Sequence, residues 1–186
     1  TRKDEENEQE TQDYLEIFLS AKRIEGCSEK TLTYYRNTIH QMMESIGKTV
    51  CTIETEDLRT YLSKYQAEKE SSKVTIDNIR RIFSSFFAWL EDEDYILKSP
   101  VRRIHKVKTA SNIKETYSDE TLELMRDSCS EMRDLAMIDL LASTGMRVGE
   151  MVLLNRDDVD FAERECVVFG KGDKERMVYF LSLIHI

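Results

Sequence analysis

The sequence predicts a mainly α-helical protein of two domains, a helical bundle followed by a mixed α+β domain with a β-hairpin. Two observations predict this architecture. Four helical patterns precede the only proline, Pro100, and a shorter series of helices followed by two strand patterns lies after it. Because proline breaks helices, the change of pattern at residue 100 marks a boundary. With 186 residues and 40% hydrophobic content, the chain is long enough to form two small cores.

The first domain is expected over residues 14–99. Apolar residues at helical spacing predict four helices, at residues 15–24, 28–47, 54–67 and 72–92. Ser28 is positioned as the N-cap of the second helix. The fourth helix carries the basic residues Lys73, Arg80 and Arg81, which we place on its exposed face. Residues 1–13 are rich in acidic side chains and are interpreted as an N-terminal tail.

A basic linker, defined as residues 100–116, follows the bundle. It carries five basic side chains against one acidic side chain, Glu115; the basic ones are Arg102, Arg103, Lys106, Lys108 and Lys114. Local charge matters more for a polyanion partner than the net charge of −9. Two interpretations stay open, a surface that binds phosphates and a linker that is merely kept soluble by its charges.

The second domain is expected over residues 117–186. Ser118 is positioned to cap a short acidic helix, and a second helix is predicted at residues 131–142. Gly145 then suits the left-handed position after a helix, and a helix restarts in MRVGEMVLL. Two strands, predicted at residues 165–169 and 175–181, surround the turn GKGDK. Helices followed by a hairpin make this domain mixed α+β.

Composition excludes several classes of protein. No apolar run approaches the roughly 20 residues that span a bilayer, and TRKDEENEQE at the start has no apolar signal region. We therefore expect a cytoplasmic protein with no membrane partner. The four cysteines, Cys27, Cys51, Cys129 and Cys166, form no CxxC pair, which is typical of reduced thiols rather than a metal site. No metal is expected.

Two cations of the second domain are candidates for binding an anion. Arg147 lies where a helix restarts after a glycine, and its guanidinium suits two oxygens of one phosphate. Lys171 lies in the glycine-flanked turn, away from either strand. Each has an ordinary alternative, because Arg147 could pair with Glu150 or Asp157, and a lysine in a polar turn is usually just solvated.

The run LLASTGMRVGEMVLLNRDDVDFAERECVVFGKGDKERMV resembles the first part of the catalytic domain of the tyrosine recombinases, or phage integrases. That family's pattern is an apolar helix, TGxRxxE, an Asp-aliphatic pair and a hairpin reading GKGxKxR. The segments SEKTLTYYRNTI and IRRIFSSFFAWLEDEDYILKSPVRRI are similar to the family's helical core-binding domain, which has a SAM-like fold, and to the linker after it. The resemblance covers roughly residues 14–180.

The resemblance implies a partner, a site and a chemistry. Double-stranded DNA would be held between the two domains, with Arg147 on the scissile phosphate, Lys171 protonating the departing oxygen, and Glu150 bracing the helix of Arg147. The basic residues expected to bind DNA are Lys73, Arg80, Arg81, Arg102, Arg103, Lys106, Lys108, Lys174 and Arg176. Cleavage through a phosphotyrosine requires no cofactor, metal or small-molecule substrate. The full-length form is expected to self-associate on DNA.

The family's later residues are not matched here. The three histidines, His40, His105 and His185, do not begin a His-x-x-Arg motif, and no tyrosine matches the family's nucleophile. We therefore expect a truncated recombinase chain that binds DNA without cutting it. The alternative from another class is a non-catalytic DNA-binding regulator or a degenerate integrase remnant. A helical interaction module without a DNA role is favoured only by the net charge.

Overall fold

The computed structural model describes residues 2–109, 115–170 and 174–180, with side chains described from Asp13 onward. The chain divides into two compact units, Thr1–Asn112 and Ile113–Ile186. As predicted, it is mainly helical, with a small antiparallel sheet in the second unit. No helix in the described ranges is long and apolar enough to cross a membrane.

Four long helices build the first unit: α1 (Arg2–Ile24), α2 (Glu29–Ile46), α3 (Thr55–Glu68) and α4 (Lys73–Asp92). Two short 3-10 helices, Val50–Thr52 and Pro100–Arg103, were not predicted. The Ser28 hydroxyl accepts a hydrogen bond from the Thr31 amide, which caps α2 as predicted. The Ser72 hydroxyl does the same for α4 with the Thr75 amide. These caps satisfy amides that helix geometry leaves free.

Helix α1 begins earlier than the sequence pattern indicates. Its backbone is helical from Arg2, so it includes most of the acidic segment that we separated as a tail. That segment contains neither glycine nor proline and is rich in glutamate and glutamine, which have high helix propensity. Hydrophobic spacing missed this part of the helix because it carries no apolar face.

Aromatic side chains fill the core of the first unit. Phe18, Phe83, Phe86 and Phe87 are completely buried. The Phe18 ring lies edge-on to Phe86, with centroids 5.1 Å apart. This packing joins α1 to α4, the helix with the most buried side chains in the unit. Apolar burial is therefore the main stabilising contribution here.

Within its described residues, the second unit contains three α-helices, one short 3-10 helix (Arg156–Asp158) and three strands. The helices are α5 (Asp119–Asp127), α6 (Met132–Thr144) and α7 (Val148–Met151), and the strands are β1 (Val159–Asp160), β2 (Glu165–Gly170) and β3 (Lys174–Tyr179). The antiparallel sheet has the order β1-β2-β3. Strands β2 and β3 confirm the predicted hairpin, and β1 was not predicted. The predicted end at Leu181 lies outside the described residues.

Candidate nucleic-acid interface and phosphate site

Arg147 lies at the junction between two helices. Helix α6 ends at Gly145, whose φ of 62° is the left-handed conformation predicted for it. Arg147 follows as the N-cap of α7 with an extended backbone. Its side chain is 72% exposed. The glycine turn therefore carries the guanidinium away from the core of the unit.

Glu150 is buried and binds two arginines. Its side chain is 6% exposed. The carboxylate accepts hydrogen bonds from the backbone amide of Arg147 at 2.8 Å and from Arg147 Nη1 at 2.8 Å. Arg176 Nη1 and Nη2 donate to the two oxygens at 2.9 and 2.7 Å. The Arg176 guanidinium, with help from the Arg147 amide, lowers the pKa of Glu150 to about 2.

The structure shows the ordinary alternative for Arg147, a pair with a carboxylate, and its contact with a phosphate stays a prediction. The arginine pairs with Glu150, one of the two carboxylates that we considered. Its guanidinium is nevertheless mostly exposed, and only Nη1 is bound to the carboxylate. Arginine has five donors in a fixed planar arrangement, so most of them point outward. An exposed, braced guanidinium of this kind suits a phosphate oxygen pair.

The hairpin cations have different environments. Lys174, at the start of β3, is exposed, and its predicted DNA contact stays a prediction. Arg176 donates from both terminal nitrogens to Glu150, and its side chain is 38% exposed. Its predicted DNA contact also stays a prediction. Lys171 lies outside the described residues, so its predicted role stays a prediction.

On helix α4, Lys73 and Arg81 are exposed as expected. The expectation that Arg80 shares this exposed face is wrong. The Arg80 side chain is 14% exposed, and its Nε donates to Asp77 at 2.9 Å. Asp77 lies one turn earlier and is itself buried. This ion pair holds the Arg80 side chain against the helix.

The first part of the basic linker is packed on the helical unit. Val101 is buried, with 3% exposure. The Thr55 hydroxyl donates to the Pro100 carbonyl at 2.7 Å, and Arg59 donates to the Arg103 carbonyl at 3.1 Å. The Val107 amide donates to Asp77 at 3.1 Å. Residues 100–107 are therefore fixed on α3 and α4.

This packing leaves the basic side chains of the linker outside. Arg102, Arg103, Lys106 and Lys108 are all exposed. Arg102 Nη1 donates to Glu91 at 3.2 Å. The Val107 amide binds Asp77 in the second turn of α4. The pKa of Asp77 is lowered mainly by its hydrogen bond from Arg80, with a smaller contribution from the charge of Lys106. The linker thus brings Lys106 close to the start of α4.

Sequence reasoning missed the carboxylates that organise these cations. Asp77 and Glu91 are acidic residues on a helix that we examined only for its basic and apolar faces. The i,i+3 spacing of Asp77 and Arg80 was the available signal for their ion pair. Within the described ranges, no group of three or more His, Cys, Asp or Glu side chains could hold a metal ion.

Comparisons with known protein families match both units. The family described as "Phage integrase, N-terminal SAM-like domain" matches residues 14–97. The "Phage integrase family" matches residues 112–184. The second match contains Arg147, Glu150 and the hairpin. Together the two matches cover most of the chain.

Individual relatives agree with the family matches. The chain is 31% identical over 183 residues to the tyrosine recombinase XerC of Oceanobacillus iheyensis, covering 93% of this chain and 60% of that protein. It is 30% identical to the tyrosine recombinase XerC of Staphylococcus aureus, covering 89% of this chain and 58% of that protein. It therefore spans about three fifths of the length of these curated relatives.

Solved structures show the same fold. A lambda integrase tetramer bound to a Holliday junction matches with a TM-score of 0.72 at 21% identity, covering 94% of this chain and 53% of that chain. The Tn1549 transposon integrase in complex with circular intermediate DNA matches with a TM-score of 0.65 at 19% identity, covering 92% of this chain and 62% of that chain. With a SAM-like helical domain, a catalytic-domain match and these relatives, the chain belongs to the phage integrase family of tyrosine recombinases.

Proposed function

We propose that this chain is the DNA-binding portion of a site-specific tyrosine recombinase and supplies the first part of its strand-cleaving site. The observation that carries the proposal is the Arg147 guanidinium, exposed yet braced by a buried carboxylate, within the catalytic-domain match. An arginine placed in this way stabilises the charge that develops on a phosphate during transesterification. Lys171 remains the proposed proton donor to the leaving oxygen.

Binding to duplex DNA is assigned to cations on the helical unit. The proposed DNA contacts are exposed cations of α4 and the linker, namely Lys73, Arg81, Arg102, Arg103, Lys106 and Lys108. Such side chains contact phosphates and release counterions, so affinity falls steeply with salt. The fixed backbone of residues 100–107 keeps the spacing of the linker cations constant.

The binding assignment is tested on the linker. Lys106→Ala with Lys108→Ala should weaken binding to all duplexes and reduce the slope of log affinity against log salt by about two. Fluorescence anisotropy over a salt series measures both quantities. The matched control, Lys48→Ala with Lys64→Ala, removes the same charge from other positions of the helical unit. Equal effects of the two variants would show that the linker acts only through its general charge.

Strand cleavage is tested with a nicked suicide duplex that carries a cognate site. We expect no covalent adduct from the 186-residue chain, because it lacks the family's His-x-x-Arg motif and matching tyrosine. A longer product of the same reading frame should form the adduct and lose it on Arg147→Gln. An adduct of the 186-residue chain that disappears on Tyr179→Phe would place the nucleophile in this chain. Absence of adduct from both forms would favour a non-catalytic DNA-binding protein.

A further inference from the structure

We infer that Arg176 acts as a positioning residue that keeps Arg147 available to a phosphate by neutralising Glu150. This inference rests on the proposed phosphate contact of Arg147. It assigns to Arg176 a role through another residue, in place of the DNA contact that the sequence predicts. Two observations carry it: the geometry of the shared carboxylate and the charge balance of the three side chains.

The two arginines do not share Glu150 equally. Arg176 donates to both carboxylate oxygens in a bidentate arrangement, from Nη1 to Oε1 at 2.9 Å and from Nη2 to Oε2 at 2.7 Å. The Arg147 side chain has one hydrogen bond, from Nη1 to the oxygen Oε1 at 2.8 Å. Bidentate pairing is the stronger of the two geometries. Glu150 is therefore primarily the partner of Arg176, and it orients Arg147 with a single contact.

The charges of Arg147, Glu150 and Arg176 together determine whether the site can attract an anion. Two guanidinium groups and one carboxylate leave a net charge of one positive unit. The carboxylate is buried and Arg147 is exposed, so the surplus charge lies where an anion can reach it. Without Arg176, the buried carboxylate would have Arg147 as its counterion and the net charge would fall to zero. The anion site would then be lost, although Arg176 had not touched the anion.

The ion pair lies beside Gly170 at the end of β2. A Cβ atom at residue 170 would lie 3.3 Å from the Lys174 carbonyl oxygen, 3.5 Å from Arg176 Nη1 and 3.6 Å from Glu150 Oε1, so the ion pair would tolerate a side chain there. Lys174 is the partner of Gly170 across the hairpin. The Arg176–Glu150 pair thus joins α7 to the end of the hairpin next to the turn.

The test is a double-mutant cycle on binding of the 186-residue chain to a short random-sequence duplex, measured by fluorescence anisotropy over a salt series. Arg147→Gln should weaken binding about tenfold and lower the salt slope by about one. Arg176→Gln should have a similar effect. Because Arg176 acts by neutralising Glu150, Arg176→Gln should lose its large effect in a Glu150→Gln background, and these two changes form the cycle. Arg133→Gln, the same change at an exposed arginine of α6, serves as the control for general charge.

Two further variants separate charge from a merely structural role. Glu150→Gln with Arg176→Gln restores the net positive charge and should regain most of the affinity lost in Arg176→Gln. Arg176→Lys keeps the charge and should retain most of the affinity. Neither recovery follows if Arg176 only holds the fold together. Hydrogen exchange of the β2 and β3 peptides checks folding, and these two variants decide the question if Arg176→Gln does not fold.

The outcomes that overturn the inference differ from those that overturn the proposed function. A loss from Arg176→Gln that stays about tenfold in the Glu150→Gln background would mean that Arg176 contacts DNA itself. Weak binding of Arg147→Gln together with normal binding of Arg176→Gln would refute the positioning role alone. No effect of Arg147→Gln would remove the phosphate contact of Arg147, and the inference would fail with it.

Discussion

The helical unit and the α+β unit bury their side chains very differently. Among the described residues, the helical unit joins 21 buried hydrophobic residues in one cluster, whereas the cluster of the α+β unit contains four: Met146, Cys166, Val168 and Val178. In the α+β unit, α5 has no buried residue and the buried residue of α6 is Asp139. The first unit is thus organised by apolar packing, and the second depends more on ion pairs.

Two buried carboxylates show this dependence. Asp139 on α6 accepts a hydrogen bond from Arg126 Nε of α5 at 2.6 Å. Glu150 on α7 joins that helix to Arg176 of β3. Each carboxylate links two elements that share few buried apolar side chains. Such ion pairs fix the relative orientation of the two elements more than they stabilise the unit. The free-energy cost of removing the charges from water offsets much of their attraction. The α+β unit is therefore expected to unfold first.

The largest effect is expected from a cavity in the helical core. Phe86→Ala should lower the free energy of unfolding of the helical unit by about 3 to 5 kcal/mol, because Phe86 is completely buried between Phe18 and Phe87. Trp89, the only tryptophan, belongs to this unit, so its fluorescence during urea unfolding reports on the helical unit alone. Val74→Ala on an exposed position of α4 is the control. A change below about 1 kcal/mol would contradict the proposed dominance of packing.

Lowering the pH should destabilise the α+β unit more than the helical unit. The pKa of Glu150 lies at about 2, below its usual 4.5, so the carboxylate favours the folded α+β unit above pH 4.5 and loses this contribution as the pH falls toward 2. Relative to the intrinsic exchange rate at each pH, hydrogen exchange of the β2 and β3 peptides should therefore accelerate over that range in the wild type. The extra acceleration should be absent in Glu150→Gln. Equal acid sensitivity of Trp89 fluorescence would show that the two units do not differ in this way.

In the helical unit, the buried carboxylate of Asp77 makes polar contacts whose removal also tests this comparison. Asp77→Ala removes the partner of Arg80 and the acceptor of the Val107 amide, and should cost the helical unit about 1 to 3 kcal/mol. Exchange of the amides near Val107 should also accelerate, because the linker loses a contact. Asn78→Ala, at the exposed neighbouring position, is the matched control. Unchanged exchange at Val107 would mean that the other linker contacts, namely the Thr55 and Arg59 hydrogen bonds and apolar packing, suffice without Asp77.

The same contrast explains what sequence reasoning could and could not predict. Helices α2, α3 and α4 follow from apolar spacing, and α2 also from its Ser28 cap, because each of these helices buries one apolar face in a large core. The hairpin and the left-handed Gly145 follow from local turn chemistry. Strand β1, with two residues, is too short to show a period.

The candidate site was only partly predictable for a physical reason. The pairing of Arg147 with Glu150 is local, three residues apart, and the sequence allowed it. The pairing of Glu150 with Arg176 joins residues 26 apart, and no local pattern specifies which cation will reach a buried carboxylate. Arg80 shows the opposite error. Its charge alone led us to predict an exposed side chain, whereas the ion pair with Asp77 keeps it mostly buried.

The smallest effect is expected where the helical core carries an unsatisfied polar atom. The hydroxyl of Tyr61 is buried and, among the described residues, has no hydrogen-bond partner. Burial accordingly raises the pKa of Tyr61 to about 12. The centroid of its ring lies 5.7 Å from that of Phe83, so the ring contributes to the core. The hydroxyl, by contrast, loses its hydrogen bonds to water and gains none in return.

Tyr61→Phe should therefore leave the helical unit equally stable or stabilise it by up to about 1 kcal/mol, as measured by urea unfolding with Trp89 fluorescence. Tyr65→Phe, on the same helix and partly exposed, should change little and serves as the control. A loss of more than about 1 kcal/mol in Tyr61→Phe alone would mean that the hydroxyl has a partner, such as a buried water. The helical core would then depend on a polar contact as well, and the contrast between the two units would be one of degree.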